Sequence, residues 1–405
     1  MKKGFYGLML SAGMLLGACG QSSKGNVKQT PSLTEKEVLG AQISKSLSRA
    51  NEQYKYMMEL LPEGKFPKTY HAKTDKFEGS GSGWWCSGFY PGTLLYLDEY
   101  KKDEVLKNEA IRSLGLLEKE QFNTSTHDLG FMMYCSFGNA YRLDPKPAYK
   151  EIMIQSAQSL ASRFSEKVGA IKSWDSREGD FLVIIDNMMN LELLFWATEA
   201  TGDSTYFDIA VQHADTTIKN HFREDYSSYH VINYDPETGE VNRKRTAQGY
   251  ADESAWARGQ AWGLYGYTVM YRATKEQKYL DQAKAIAKFI LDHPNLPEDK
   301  VPYWDFDAPK IPDELRDSSA GAIMAAALLE LSDYVDGELA EKYNDNAQQM
   351  LTTLTTDEYI AAKGTNGGFL LKHGVGHIPE NSEIDVPLTY GDYYLVEAML
   401  RYLNK

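Results

Sequence analysis

The stretch DNMMNLELLFWATEA, Asp186 to Ala200, is apolar nearly all round when wound at 3.6 residues per turn. Two more stretches share its character: SAWARGQAWGLYGYTVMYRA from Ser254 and SSAGAIMAAALLELSDYV from Ser318. They are rich in Ala, Gly, Met and aromatics, and a helix of that kind is buried on every side. Segments of the same type begin near Ser87, Asp128 and Asp392. Between them lie segments with a polar face: Thr34–Leu61, Asp103–Gln121, Pro147–Ser165, Ser204–His221, Glu276–His293 and Gly337–Leu354. These carry Lys and Glu on one side and Leu, Ile and Ala on the other, as outer helices should.

Each inner segment opens on Ser, Asp or Gly-Asp, which suits an N-cap. Six outer-plus-inner pairs at a period of roughly sixty residues form a repeat architecture. The expected fold is all-α: a closed (α/α)6 barrel, a six-hairpin toroid, with an open solenoid as the alternative. An open array leaves one concave face wet, and inner helices this apolar favour closure. Short strands are expected at Tyr229–Tyr234 and around Gly368–Leu371.

The chain has 405 residues, 42% of them hydrophobic and 25% charged, which is an ordinary globular composition. Length alone suggests two or three domains, but the repeat uses the whole body, so residues 32–405 are read as one domain. Lys and Arg number 43 against 57 Asp and Glu, for a net charge of −14. Such a chain is a poor non-specific binder of nucleic acid.

Lys2 and Lys3 precede an apolar run from Phe5 to Leu16, then Leu16-Gly17-Ala18-Cys19. The pattern is that of a bacterial lipoprotein signal over residues 1–19, with Cys19 as the lipidated new N-terminus; an ordinary signal peptide is the alternative. Residues 20–31 form a polar tether. The expectation is an exported, periplasmic, membrane-anchored protein that meets the membrane only through Cys19. Cys86 and Cys135 remain, and are expected as buried thiols more than as a bridge.

In such a barrel all inner helices run the same way, so the loops entering them gather at one end. Those loops hold Trp85 and Phe89; His127 and Asp128; Trp174 and Asp186; His230, Gln248, Arg258 and Trp262; Asp305 and Asp317; and Tyr390, Asp392 and Tyr393. Several aromatics with a few carboxylates, one Arg and no Lys suit a sugar. Asp128 and Asp186 stand one repeat apart, entering consecutive inner helices, which is the arrangement for paired acid–base work. At about 6 Å and an effective dielectric near 20, their repulsion is roughly 3 kcal/mol, about two pKa units. The competing role for both is N-capping, and capping is favoured for Asp317 and Asp392. Arg258 on a buried helix needs a partner, either a protein carboxylate or a substrate acid. His373 and His377 stand four apart, but the glycines between them argue against a helical metal site. No metal and no cofactor are expected.

THDLGF around Asp128, IIDNMMNLELL around Asp186, WARGQAW from Trp256, and HGVGHIP followed by EIDVPLTYGDYYLVEAML resemble the unsaturated glucuronyl hydrolases of glycoside hydrolase family 88. The likeness spans nearly the whole body. It implies the same barrel and an activity on unsaturated uronyl oligosaccharides left by polysaccharide lyases. It also implies an unusual reaction, in which the C4=C5 double bond of the terminal sugar is hydrated and the resulting hemiketal opens. By this resemblance Asp186 is the general acid/base, Asp128 assists it, and Trp85, Phe89, His127, Trp174, His230, Gln248, Arg258, Trp262, Tyr390 and Tyr393 line the sugar subsite. Segment Asn381–Pro387 is where substrate preference is expected to vary. The alternatives are an unsaturated rhamnogalacturonyl hydrolase, an inverting glycosidase on the same barrel, and a non-catalytic sugar-binding lipoprotein.

Overall fold

The computed structural model describes residues 34–175 and 179–405. The expected signal peptide, Cys19 and the expected tether lie outside the described residues.

Six outer helices alternate with six inner ones. Chain order begins with α1 (Glu35–Leu60), the hairpin β1 (Phe66–His71) and β2 (Lys76–Ser80), α2 (Phe89–Tyr100) and α3 (Glu104–Leu117). The second inner helix is wound as a π-helix over Gly130–Gly138 and continues as α4 (Asn139–Leu143), followed by α5 (Pro147–Ala161). Next come β3 (Phe164–Ser165), β4 (Ala170–Ile171), β5 (Phe181–Ile184), a 3-10 turn over Ile185–Asn190, α6 (Leu191–Thr201) and α7 (Thr205–His221). β6 (Val231–Tyr234), β7 (Val241–Arg245), α8 (Ala257–Thr274), α9 (Gln277–Asp292), α10 (Ser318–Leu331) and α11 (Gly337–Leu354) follow, and then β8 (Gly374–His377), β9 (Ser382–Val386) and α12 (Thr389–Leu403).

The inner ring closes. α2 packs on the π-helix, the π-helix on α6, α6 on α8, α8 on α10, α10 on α12, and α12 back on α2. The sequence dictates this division. In α10 every residue from Ser318 to Leu331 except Glu330 is buried. In α11 only Tyr343, Ala347, Met350, Leu351 and Leu354 are, at the i, i+4, i+7 spacing of one face. α1 starts on a capping box in which Thr34 and Glu37 satisfy each other's backbone N–H groups.

The connections are unequal. Inner-to-outer links such as 101–103, 144–146, 202–204 and 275–276 are tight turns. Every described strand lies in an outer-to-inner link, so hairpins and irregular segments pile up over the N-terminal ends of the inner helices. The expected strand at Tyr229–Tyr234 is present as β6. At Gly368–Leu371 the expected strand is reduced to an isolated antiparallel bridge, Leu371 opposite Ile360; Asn366–Gly368 is a 3-10 turn, and the hairpin begins at Gly374.

Candidate active site

Asp186 owes its position to strand pairing. β5 lies antiparallel to β6, with Ile184 opposite Val231, and the Ile185 N–H donates to the carbonyl of His230 at 3.0 Å. The chain then turns sharply through the 3-10 segment, which carries Asp186 into the barrel mouth. His230 arrives beside it, its Nε2 3.7 Å from Asp186 Oδ2.

Asp128 enters from the next loop. Its Oδ2 accepts from the Thr126 hydroxyl at 2.7 Å, and its Oδ1 lies 3.2 Å from His127 Nε2. His127 Nδ1–H donates to the Ser173 carbonyl at 2.9 Å. A glycine stitches the two acid-bearing segments together. A Cβ on Gly130 would sit 2.4 Å from the Asn190 Cα, so only Gly permits the crossing. The Asn190 Oδ1 then accepts from the Phe131 N–H at 2.9 Å.

Neither acid caps a helix: the Asp186 side chain makes no capping bond, and Asp128 receives its hydrogen bond from Thr126 Oγ1. Asp317 does cap α10, accepting from Ser319 N at 3.1 Å, and it also pairs with Arg258 at 3.1 Å. Asp392 is no N-cap. It accepts from Leu370 N, Leu371 N and the Tyr54 hydroxyl, clasping the loop before β8 to α12 and α1.

Arg258 is therefore held by protein. Its guanidinium is bonded to Asp317 and to the carbonyls of Val375 and Gly376, and lies over the rings of Trp256 (4.5 Å) and Tyr390 (5.2 Å). The Gln248 amide donates to the same Gly376 carbonyl at 3.0 Å. β8 is thus tied to the pocket by two side chains, and His377 anchors it further on the Ala247 carbonyl at 2.7 Å. His373 instead pairs with Asp385. Among the described residues no group of three or more His, Cys, Asp or Glu is placed to hold a metal ion.

Burial is the main electrostatic force here. It pushes the Asp186 carboxyl up to about 7; Arg258 opposes the rise, and the negative charge of Asp128 adds to it. The Trp262 indole N–H, which forms no hydrogen bond, faces Asp186 and favours the ionised form. Burial also lowers the His127 and His230 imidazoles, so both are neutral near pH 7. Five buried polar atoms of this cluster lack a protein partner: Asp186 Oδ2, His230 Nε2, His127 Nε2, Trp262 Nε1 and Arg258 Nε. Buried polar atoms are rarely left so, and several together mark a place that a polar ligand completes.

Trp85 and Tyr390 form the aromatic wall, with ring centroids 4.9 Å apart. Trp174 is half-buried against Leu182 and Ile184, directly after Ser173. Two expected lining residues are elsewhere. Phe89 is fully covered, packed edge-on beneath Trp85. Tyr393 points down the barrel, where its hydroxyl accepts from Asn139 Nδ2 at 3.0 Å and lies 3.4 Å from the Tyr96 hydroxyl. Cys86 and Cys135 are free and buried. Trp256 counted in the sequence only as the first residue of the WARGQAW motif and not as a site residue, yet its ring lies 4.4 Å from that of His230. The signal was its place two residues before Arg258 at the mouth of an inner helix. The role of Asp317 as counter-ion to Arg258 was hidden behind its cap.

The model of Glycosyl Hydrolase Family 88 matches residues 51–400. An unsaturated glucuronyl hydrolase from Formosa agariphila is 44% identical over 400 residues, covering 98% of this chain and 97% of the relative. An unsaturated chondroitin disaccharide hydrolase from Streptococcus pneumoniae is 33% identical, covering 92% of this chain and 94% of its own. A crystal structure of an unsaturated glucuronyl hydrolase specific for heparin superposes with a TM-score of 0.87 at 47% identity, covering 90% of this chain and 97% of that one. With the match running through the barrel and the site alike, the chain belongs to glycosyl hydrolase family 88.

Proposed function

We propose that the protein is an unsaturated glucuronyl hydrolase, removing a 4,5-unsaturated uronic acid from the non-reducing end of lyase-generated oligosaccharides. The observation that carries this is Asp186, a carboxyl buried at the centre of unpartnered polar atoms, where burial pushes it up to about 7. A general acid works best when its pKa matches the working pH. Protonated Asp186 delivers its proton to C4 of the enol ether, and positive charge develops at C5. Ionised Asp186 then takes a proton from the water that adds there, and the hemiketal opens to release the keto-uronate. Trp85 and Tyr390 offer aromatic faces to the ring. Asp128, fixed by the Thr126 hydroxyl, keeps the Asp186 proton in place by charge and offers an acceptor to sugar hydroxyls.

Similarity supports glycosaminoglycan-type substrates. The heparin-specific structure is 47% identical and the Streptococcus pneumoniae chondroitin-disaccharide relative 33%, which favours a heparin-type next sugar. The test is a panel of unsaturated disaccharides from heparin, chondroitin, hyaluronan and pectin lyases, followed by ultraviolet absorbance. Absorbance of the conjugated enol ether acid should disappear as sugar is released. Turnover in heavy water should place deuterium at C4, and product without that label would refute hydration. The address belongs to the same proposal: Lys2, Lys3 and the apolar run before Cys19 support a lipid-anchored, exported enzyme. Labelling with a fatty acid, lost in Cys19→Ser, tests it.

A further inference from the structure

The two histidines at the site are wired in opposite senses. His127 gives its Nδ1–H to a carbonyl, so Nε2 is left as the free nitrogen. His230 does the reverse. Two backbone N–H groups, of Ala247 and Gln248, both donate to its Nδ1, each at 3.1 Å. A nitrogen that accepts from two amides carries no proton, so the only proton of His230 is on Nε2. A second proton has nowhere to go, and Arg258 lies just beyond the Trp256 ring against which His230 is packed. His230 is therefore an uncharged, single-tautomer N–H donor, clamped by the loop between β7 and α8.

Its donor faces Asp186. Nε2 and Asp186 Oδ2 are 3.7 Å apart, slightly longer than a formed bond, and each is buried with no other partner. Because Oδ2 is the buried oxygen, whatever enters the pocket meets Oδ1. We propose that His230 is a positioning residue that acts through Asp186: its locked Nε2–H engages Oδ2 when the carboxyl ionises, and it reserves Oδ1 as the atom that passes the proton to carbon and recovers one from water. In the cycle the proton leaves Oδ1 for C4, the carboxylate accepts the His230 hydrogen bond on Oδ2, and the adding water returns a proton to Oδ1. His230 neither gains nor loses a proton. The assignment rests on the hydration chemistry proposed above.

The titratable groups around Asp186 are Arg258 on α8 and Asp128 beside the π-helix. Those facing His230 are Arg258, His377 on β8, Arg245 on β7 and His221 on α7. All but Asp128 are basic, and none offers His230 a second proton acceptor.

The experiment compares kcat–pH profiles of the wild type, His230→Phe and His230→Gln. Phe keeps the packing on Trp256 and removes the donor. Gln restores an amide N–H near the position of Nε2. The expected result for His230→Phe is a loss of roughly a hundredfold in kcat, with KM changed less than about threefold. Loss of a donor to the carboxylate also moves the alkaline limb up by about one pH unit. Gln should recover about tenfold and bring the limb back. A rise in KM with an unmoved limb would overturn the proposal, since that is the signature of a histidine that only binds substrate. Independently of activity, nitrogen NMR of histidine-labelled wild type should show His230 as the neutral Nε2–H form throughout pH 5.5 to 8. Titration in that range, or the opposite tautomer, would also overturn it. If the wild type left every unsaturated disaccharide intact, the activity would be refuted, and the tautomer spectrum alone would decide the His230 assignment.

Discussion

The barrel has two open ends, and they are equipped in opposite ways. At the C-terminal ends of the inner helices lies a cavity of about 940 Å³, lined by Tyr96, Tyr134, Tyr265, Glu192, Glu397 and three arginines among others. Arg142, Arg272 and Arg401 stand in the last turns of inner helices, where the macrodipole favours a cation. Each has its acid. Arg142 grips Glu99, Arg272 binds Glu192 and Glu330, and Arg401 binds Glu330 and Glu397. Among the described residues no buried polar atom lining that cavity lacks a partner. At the N-terminal ends several do, around one carboxyl that is half-ionised near pH 7. The roomy, aromatic-lined cavity lies at one end with its buried polar atoms paired; among the described residues the unpaired polar atoms gather around Asp186 at the other. A site for chemistry is marked by what the protein leaves unsatisfied, and the size of the opening says little.

The sharpest way to break that contrast is Asp186→Asn. Replacing the acid should lower kcat roughly a thousandfold, read as the rate of absorbance loss. Stability should change in the opposite direction, and the sign follows from linkage. The folded pKa of about 7 lies above the ordinary 3.8, so folding binds a proton more tightly than the unfolded chain does. That contribution is complete below pH 3.8 and is lost as pH rises through 7. Asp186→Asn should therefore melt higher than wild type at pH 8, by up to about 4 kcal/mol in stability. At pH 4 the two should melt together. Equal melting at pH 8 would mean that Asp186 is not the buried acid described here.

The far end should answer in reverse. Arg401→Met leaves Glu397 without its cation and Glu330 with Arg272 alone. Burial alone would raise the Glu330 carboxyl, and Arg401 and Arg272 hold it below the ordinary range. Breaking such a pair costs about 3–5 kcal/mol, visible in denaturant unfolding. kcat/KM of the enzyme that remains folded should stay within about twofold of wild type. A drop in turnover beyond that would mean that the two ends are coupled.

Asp128→Asn tests the site from its second acid. Removing the charge that opposes ionisation of Asp186 lets that carboxyl ionise at lower pH. The alkaline limb of the rate profile should then move down by about one unit, opposite in sense to the shift expected for His230→Phe. The rate at the optimum should fall by roughly ten- to a hundredfold. An unmoved limb would deny the electrostatic link between the two acids.

How much of this was legible depends on the length scale of the signal. Helices such as α10 and α11 repeat their pattern over several turns, so their positions could be read closely. β8 and β9 could not: a four-residue strand with two glycines, Gly374 and Gly376, has no periodicity to detect, and it is held in place by Arg258 and Gln248 from another repeat. Asp128 and Asp186 stood out in the sequence because each stood at the same phase of consecutive repeats. The wiring of His230 was not, because both amides that set its tautomer lie in an irregular loop far along the chain. Asp392 misled for a related reason. It lies in the first turn of a helix, as a cap might, but the donors it satisfies belong to Leu370 and Leu371.

Tyr390 and Tyr393 give the smallest and most discriminating test. They lie three residues apart on α12, hence on one face, and by sequence both belonged to the sugar subsite. Three residues advance the chain roughly 4.5 Å along the axis, which is enough to change ends: Tyr390 stacks with Trp85 and Arg258, while Tyr393 meets Asn139 and Tyr96. Tyr393→Phe removes a hydroxyl that bonds Asn139 on the far-end cavity. It should cost about 1 kcal/mol of stability, a shift of one or two degrees in Tm for a domain this size, and leave KM unchanged. Should KM rise severalfold while Tm stays fixed, Tyr393 belongs to the pocket, and the boundary between the two ends lies one turn lower than the structure places it.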